Sequence, residues 1–123
     1  MTTGGFDDLH RISQTGLDRD LAELRAVARE VNAVRAEIAA LESEMIAQQA
    51  YSTDLGLQYE GWLVWATRRR RTLNEELARR RAMLEVRNEA ARKSFGRTQV
   101  LSDLMAEAKD RARQERARSS RSG

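Results

Sequence analysis

From Leu17 onward the chain repeats large apolar residues at alternating steps of three and four. The positions 17, 20, 24, 27, 31, 34, 38, 41, 45 and 48 hold Leu17, Asp20, Leu24, Val27, Val31, Val34, Ile38, Leu41, Met45 and Gln48, and eight of these ten are large and apolar. A mean step of 3.5 residues draws a narrow stripe along one side of an α-helix. Sustained over several heptads, it is the seam of a coiled coil and not the broad apolar face of a globular helix. Arg25, Arg29, Glu30, Arg35, Glu37, Glu42 and Glu44 occupy the faces between. Proline is absent and Arg, Ala, Leu and Glu dominate, all strong helix formers. Valine, isoleucine and the six aromatics are too scattered for a sheet. The fold class that follows is all-α.

Thr15 with Asp18 forms a weak capping box, and Asp18 and Asp20 suit the positive end of a helix dipole. The first helix is therefore expected over about 15–51. Residues 1–14 are expected to be flexible or partly helical, with Leu9 and Ile12 adding a turn and Gly16 a joint. Residues 51–61, YSTDLGLQYEG, read as a break over about 52–61, where Gly56 and Gly61 can supply positive φ. A second helix is expected over about 62–118. Its best seam is 63, 66, 70, 73, 77, 80, 84, 87, 91, 94, 98, 101, 105, 108 and 112. That seam is poorer than the first, with Arg70, Arg80, Arg87, Ser94 and Thr98 among its positions. Glu75 with Arg79, Glu76 with Arg80 and Glu89 with Lys93 are favourable i,i+4 pairs. Gly96 suggests a bend or a close contact, and residues 119–123 a disordered tail.

Two long helices joined by a short loop pack antiparallel. The expected architecture is thus a long antiparallel two-helix coiled-coil hairpin spanning 15–118. At 1.5 Å per residue its helices measure about 51 and about 85 Å. Such a hairpin encloses no sizeable core and no substrate pocket, which points to an interaction protein.

Composition narrows the function further. There is no cysteine and one histidine, His10, among 123 residues. That leaves no thiolate metal site, no disulfide framework and almost no acid–base group for work near neutral pH. Nucleophile, phosphate-loop, dinucleotide and metal motifs are absent. The expectation is a non-enzyme without catalytic residues, cofactor or metal. No stretch approaches the ~20 apolar residues of a membrane span, and the opening MTTGGFDDLHRIS lacks the pattern of a secretory signal.

The net charge of +3 is unevenly spread. Residues 17–50 carry four arginines against seven acids, whereas 62–118 carry sixteen bases against eight acids. Part of this favours pairing of the two helices with each other. Arg68 to Arg71 invite a nucleic-acid reading, but four consecutive helical residues spread over about 300° and encircle the helix. Phosphate tracking needs bases on one face, usually with aromatics to stack. Nucleic acid is therefore disfavoured against a solvated surface that meets an anionic protein.

Trp62 and Trp65 either cap the seam beside Tyr51 and Tyr59 or anchor a partner, since Trp and Arg dominate interface hot spots. Phe95, Val100, Leu101, Leu104 and Met105 form a second apolar cluster, expected to pack on Phe6, Leu9 and Ile12 or to meet a partner.

These features resemble the FliJ family, the stalk protein of the bacterial flagellar type III export ATPase. The likeness rests on the basic two-helix hairpin and a heptad first helix ending near Tyr51. It rests also on the tryptophans opening GWLVWATRRRRTLNEELARRR, with Thr72 and Leu73 after them, and on the arginine-rich tail. The resemblance implies a cytoplasmic accessory stalk, peripheral at the export apparatus, that promotes assembly of an export ATPase hexamer and couples it to an export-gate protein. It implies that Leu17, Leu21, Leu101, Leu104, Met105, Arg111 and Arg113 face the ATPase, and that Trp62, Trp65, Ala66 and Leu73 face the gate. The sequence departs from the family where Arg68 to Arg71 replace a mixed apolar face, and its first helix is short. The residues alone equally allow a coiled-coil adaptor or a homo-oligomer in which another copy completes the weak second seam.

Overall fold

A computed structural model describes residues 2–122 of the chain, with side chains from Gly5 onward. It contains α1 (Thr2–Gln49), α2 (Ser52–Leu55) and α3 (Leu57–Ser122), with no strand among the described residues. The long helices α1 and α3 pack against each other as an all-α antiparallel hairpin. Contacts divide it into two compact units, Arg25–Val86 and Met1–Leu24 with Arg87–Gly123.

The seams stand where the heptads put them. All ten positions from 17 to 48 and all fifteen from 63 to 112 are buried or half-buried. The 3.5-residue step is what returns a side chain to the partner helix at every turn.

In the unit Arg25–Val86, Val34, Leu41, Ala66 and Leu73 form a buried core, with Ile38, Met45, Trp62 and Leu77 packed around it. The short connection imposes the antiparallel sense, and two interhelical ion pairs flank the core: Arg69 with Glu37 at 3.2 Å and Arg80 with Glu30 at 2.6 Å. The chain reverses over Ala50–Gly56, more tightly than the expected 52–61. Tyr51 N–H donates to Gln48 O at 3.0 Å, Leu55 N–H to Tyr51 O at 3.0 Å, and Gly56 N–H to Ser52 O at 3.2 Å. Gly56 has φ 54°, the left-handed conformation that a Cβ disfavours. One such residue suffices to break the helix, so Gly61, expected to share the turn, lies inside α3.

In the other unit the buried residues are Leu17, Ala91, Ser94 and Thr98. Its α1 segment begins at Thr2, well before position 15. The cost of Gly16, about 1 kcal/mol, is offset by seam contacts on either side, at Ser13 and Leu17. Leu9 and Ile12 lie within this helix, but both are exposed, Ile12 to 70%, so they give the second apolar cluster no packing surface. Stepping the heptad back from Leu17 lands on Ser13, His10 and Phe6, all half-buried, and Leu9 and Ile12 fall about 100° off that line. Phe95 and Val100 are likewise exposed, so they do not pack on these residues. A Cβ at Gly96 would meet nothing within 4 Å, so this glycine marks no close contact.

Residues 119–122, expected as a disordered tail, continue α3. No proline or glycine interrupts them, and Ser122 Oγ donates back to Arg118 O at 2.8 Å. Met1 and Gly123, the outer ends of the two segments expected to be flexible, lie outside the described residues.

Candidate functional site

Within Arg25–Val86 the two tryptophans separate. Trp62 is half-buried against the core, its ring stacked on Tyr59 with centroids 6.5 Å apart. Trp65, three residues on and about 60° away around the helix, is 55% exposed. Of the four residues expected to face a gate protein, Ala66 and Leu73 are buried in the hairpin core. They are seam residues and therefore pack on α1, which withdraws them from any partner surface. Trp65 remains the accessible member, with Leu57 and Val64 exposed nearby. Those two were not singled out from the sequence, although both stand off the seam.

The arginine runs are partly used by the hairpin itself. Arg69 holds Glu37, and Arg70 is half-buried on the seam, while Arg68 and Arg71 are exposed. Arg80 donates to Glu76 through Nε and Nη2 at 3.1 and 3.0 Å and to Glu30 through Nη1 at 2.6 Å. The hydrogen bonds to Glu76 and the charge of Glu30 raise its pKa above the ordinary arginine value. A guanidinium is charged at any working pH in any case, so this cluster is structural and no titrating switch. Replacing Arg80 by alanine is expected to destabilise the hairpin only slightly, because solvent screens its ion pairs. Urea unfolding at low and high salt checks this, and the difference from the native chain should shrink as salt rises.

In the unit Met1–Leu24 with Arg87–Gly123 the seam is polar and its groups are matched. Ser94 Oγ donates to the Asp20 carboxylate, whose side chain is 12% exposed. Thr98 Oγ1 lies 2.9 Å from Ser94 O and 2.7 Å from Ser13 Oγ. A hydroxyl has a single proton. Thr98 gives its own to the carbonyl, so Ser13 is the donor to Thr98. Arg87 Nη1 donates to Glu23 at 2.8 Å. Among the described residues no buried side-chain polar atom lacks a partner. Of the polar positions 70, 80, 87, 94 and 98, which as sequence suggest a seam awaiting another copy, the last four find partners inside the chain.

The residues expected to meet an ATPase are of three kinds. Leu17 is buried and packs inside the hairpin, which removes it from a contact surface. Leu21, Leu101, Leu104 and Met105 are half-buried, and Arg111 and Arg113 are exposed. Arg111 lies 3.9 Å from Glu107 and Arg113 3.5 Å from Asp110. From Arg113 to Ser122 every residue of α3 is exposed, and this segment holds Arg113, Arg116, Arg118 and Arg121 against Glu115. A shallow groove beside it is lined by Asp7, Lys109, Ala112, Arg113, Glu115, Arg116 and Ser119.

Among the described residues no three His, Cys, Asp or Glu side chains are grouped to hold a metal ion, and no helix is long and apolar enough to cross a membrane. No protein-family model matches the chain, and no curated protein or solved structure matches it either.

Proposed function

We propose that the chain is a non-enzymatic accessory stalk of a bacterial type III protein export ATPase, promoting assembly of the ATPase ring and coupling it to an export gate. The observation that supports this reading is the end of α3, from Arg113 to Ser122. There the helix is exposed on all sides and strongly basic. A cationic helix without a covering layer has the width and charge to enter an acidic ring pore. Long-range attraction would speed that encounter. Binding to the assembled ring alone would shift the ring equilibrium by mass action. Half-buried Leu101, Leu104 and Met105 supply apolar contact just before the basic end, and exposed Trp65 is the residue left for a gate protein.

Light scattering and phosphate release, on the export ATPase of the same organism with and without this chain, test the reading. The expected result is a shift of the ATPase toward hexamer with a higher hydrolysis rate. Both effects should be lost when residues 113–123 are deleted, with the hairpin's helical circular dichroism otherwise kept. An ATPase indifferent to the chain, in mass and in rate, overturns the proposal.

A further inference from the structure

In the unit Met1–Leu24 with Arg87–Gly123, the residue just before each seam position falls about 100° to one side of its helix. On α1 these residues are Leu9, Ile12, Gly16 and Arg19, and on α3 they are Lys93, Arg97, Val100 and Leu104. In an antiparallel pair both sets lie on the same side. Arg69 and Glu37 show the rule, since they meet at 3.2 Å from just before the seam residues Arg70 and Ile38. The bond between Ser13 and Thr98 fixes the level of one helix against the other. To one side of that level the edge holds Leu9, Ile12, Val100 and Leu104, and to the other Arg19, Lys93 and Arg97. At 1.5 Å per residue the two blocks are centred about 11 Å apart.

The apolar block is uncovered: Leu9, Ile12 and Val100 are 52%, 70% and 58% exposed. Large apolar side chains gathered on one edge mark a contact surface. Gly16 stands between the blocks, and a Cβ built there would meet nothing within 4 Å. The groove between the helices is therefore open at that point, where a third helix can approach most closely.

Charge selects the occupant. Lys93 and Arg97 are exposed and, among the described residues, form no ion pair. Arg19 lies 3.6 Å from Asp20, and Glu23, the next acid along this edge, is taken by Arg87 at 2.8 Å. The basic block thus lacks an answering carboxylate. A second copy does not supply one. Laid parallel, it sets bases on bases; laid antiparallel with apolar on apolar, it brings its basic block to Lys109, Arg111 and Arg113 of the first. The complement is a helix whose carboxylates lie about two turns from its apolar residues.

We propose that Leu9, Ile12, Val100 and Leu104 seat the apolar face of an acidic amphipathic helix from another protein, with its carboxylates on Lys93 and Arg97. The site shares only Leu104 with the stalk reading and needs none of Arg113 to Ser122, so the two stand or fall separately.

The probe is a synthetic amphipathic helix with leucines on one face and glutamates about two turns along from them. Its control carries lysines in place of the glutamates. Fluorescence anisotropy of the labelled peptides with the full chain should show binding of the first and at least about tenfold weaker binding of the second. Lys93→Glu with Arg97→Glu should reverse that preference. Ile12→Ser with Val100→Ser should weaken binding about tenfold. All four positions are exposed, so helical circular dichroism should be unchanged. Arg92→Glu, exposed but off this edge, should keep the preference, as should deletion of residues 113–123. Equal affinity for the two peptides, binding of neither, or a preference that charge reversal leaves in place overturns the proposal. A chain that dimerises through Ile12 and Val100, or that binds anionic vesicles through Lys93 and Arg97 more tightly than the peptide, overturns it as well.

Discussion

Leu73→Ala is expected to destabilise the hairpin by about 2–4 kcal/mol, the largest effect of any single truncation considered. Leu73 is 2% exposed and shares its cluster with Val34, Leu41 and Ala66. Removing three carbons there forfeits their transfer free energy and opens a cavity that two helices with fixed ion pairs on either side cannot readily close. Domains have only about 5–15 kcal/mol of net stability, and a two-helix hairpin has fewer layers than most with which to absorb a loss. Thermal and urea unfolding followed by helical circular dichroism measure the effect. Met83→Ala is the control, since Met83 is exposed and its truncation should change stability by no more than about 0.5 kcal/mol. Equal losses in the two variants would mean that Leu73 does not anchor this core.

The same contrast separates what could be read in the sequence from what could not. A heptad is a local rule, and it specifies the buried side of each helix without knowledge of the other. That is why even Arg70, Arg80 and Arg87 can be assigned to the seam from the sequence alone. At Leu9 and Ile12 hydrophobicity and register point to different faces, and register prevails. The seam ran on instead through Ser13 and His10, which are half-buried. Polar pairs such as Ser94 with Asp20 depend on the offset between two helices, a non-local quantity that no periodicity encodes. Once the reversal at Gly56 sets the offset, those pairs follow from the two seams.

The tryptophans follow the same rule. Both sit within one turn of the start of the expected second helix, and composition marks both as anchors. With the turn closed at Gly56, α3 already runs from Leu57. Trp62 then lies on the inner side beside Tyr59, and Trp65 is carried round to the outer one. The seam at Leu63, Ala66, Arg70 and Leu73 sets which side of α3 each tryptophan faces.

Ser94 and Asp20 provide the last and sharpest expectation. Asp20→Leu should destabilise the hairpin by about 1–3 kcal/mol, because it leaves the buried Ser94 hydroxyl without its acceptor. Ser94→Ala should cost roughly 1 kcal/mol, since the carboxylate loses one charged hydrogen bond but keeps Arg19 at 3.6 Å. The double variant Asp20→Leu with Ser94→Ala leaves nothing unsatisfied and extends the apolar seam. It should equal or exceed the native chain in stability, so that the effects of the two sites fail to add. Replacing a buried polar set by well-packed apolar groups is often stabilising for this reason. What the polar pair supplies is register, because a carboxylate opposite a serine hydroxyl penalises sliding of α1 along α3 by a heptad, as a polar seam residue does in other coiled coils. Urea unfolding of the native chain, both single variants and the double variant closes the cycle. A double variant as unstable as the sum of its parts would show that Asp20 and Ser94 act independently, and would remove the case for a register lock in this half of the hairpin.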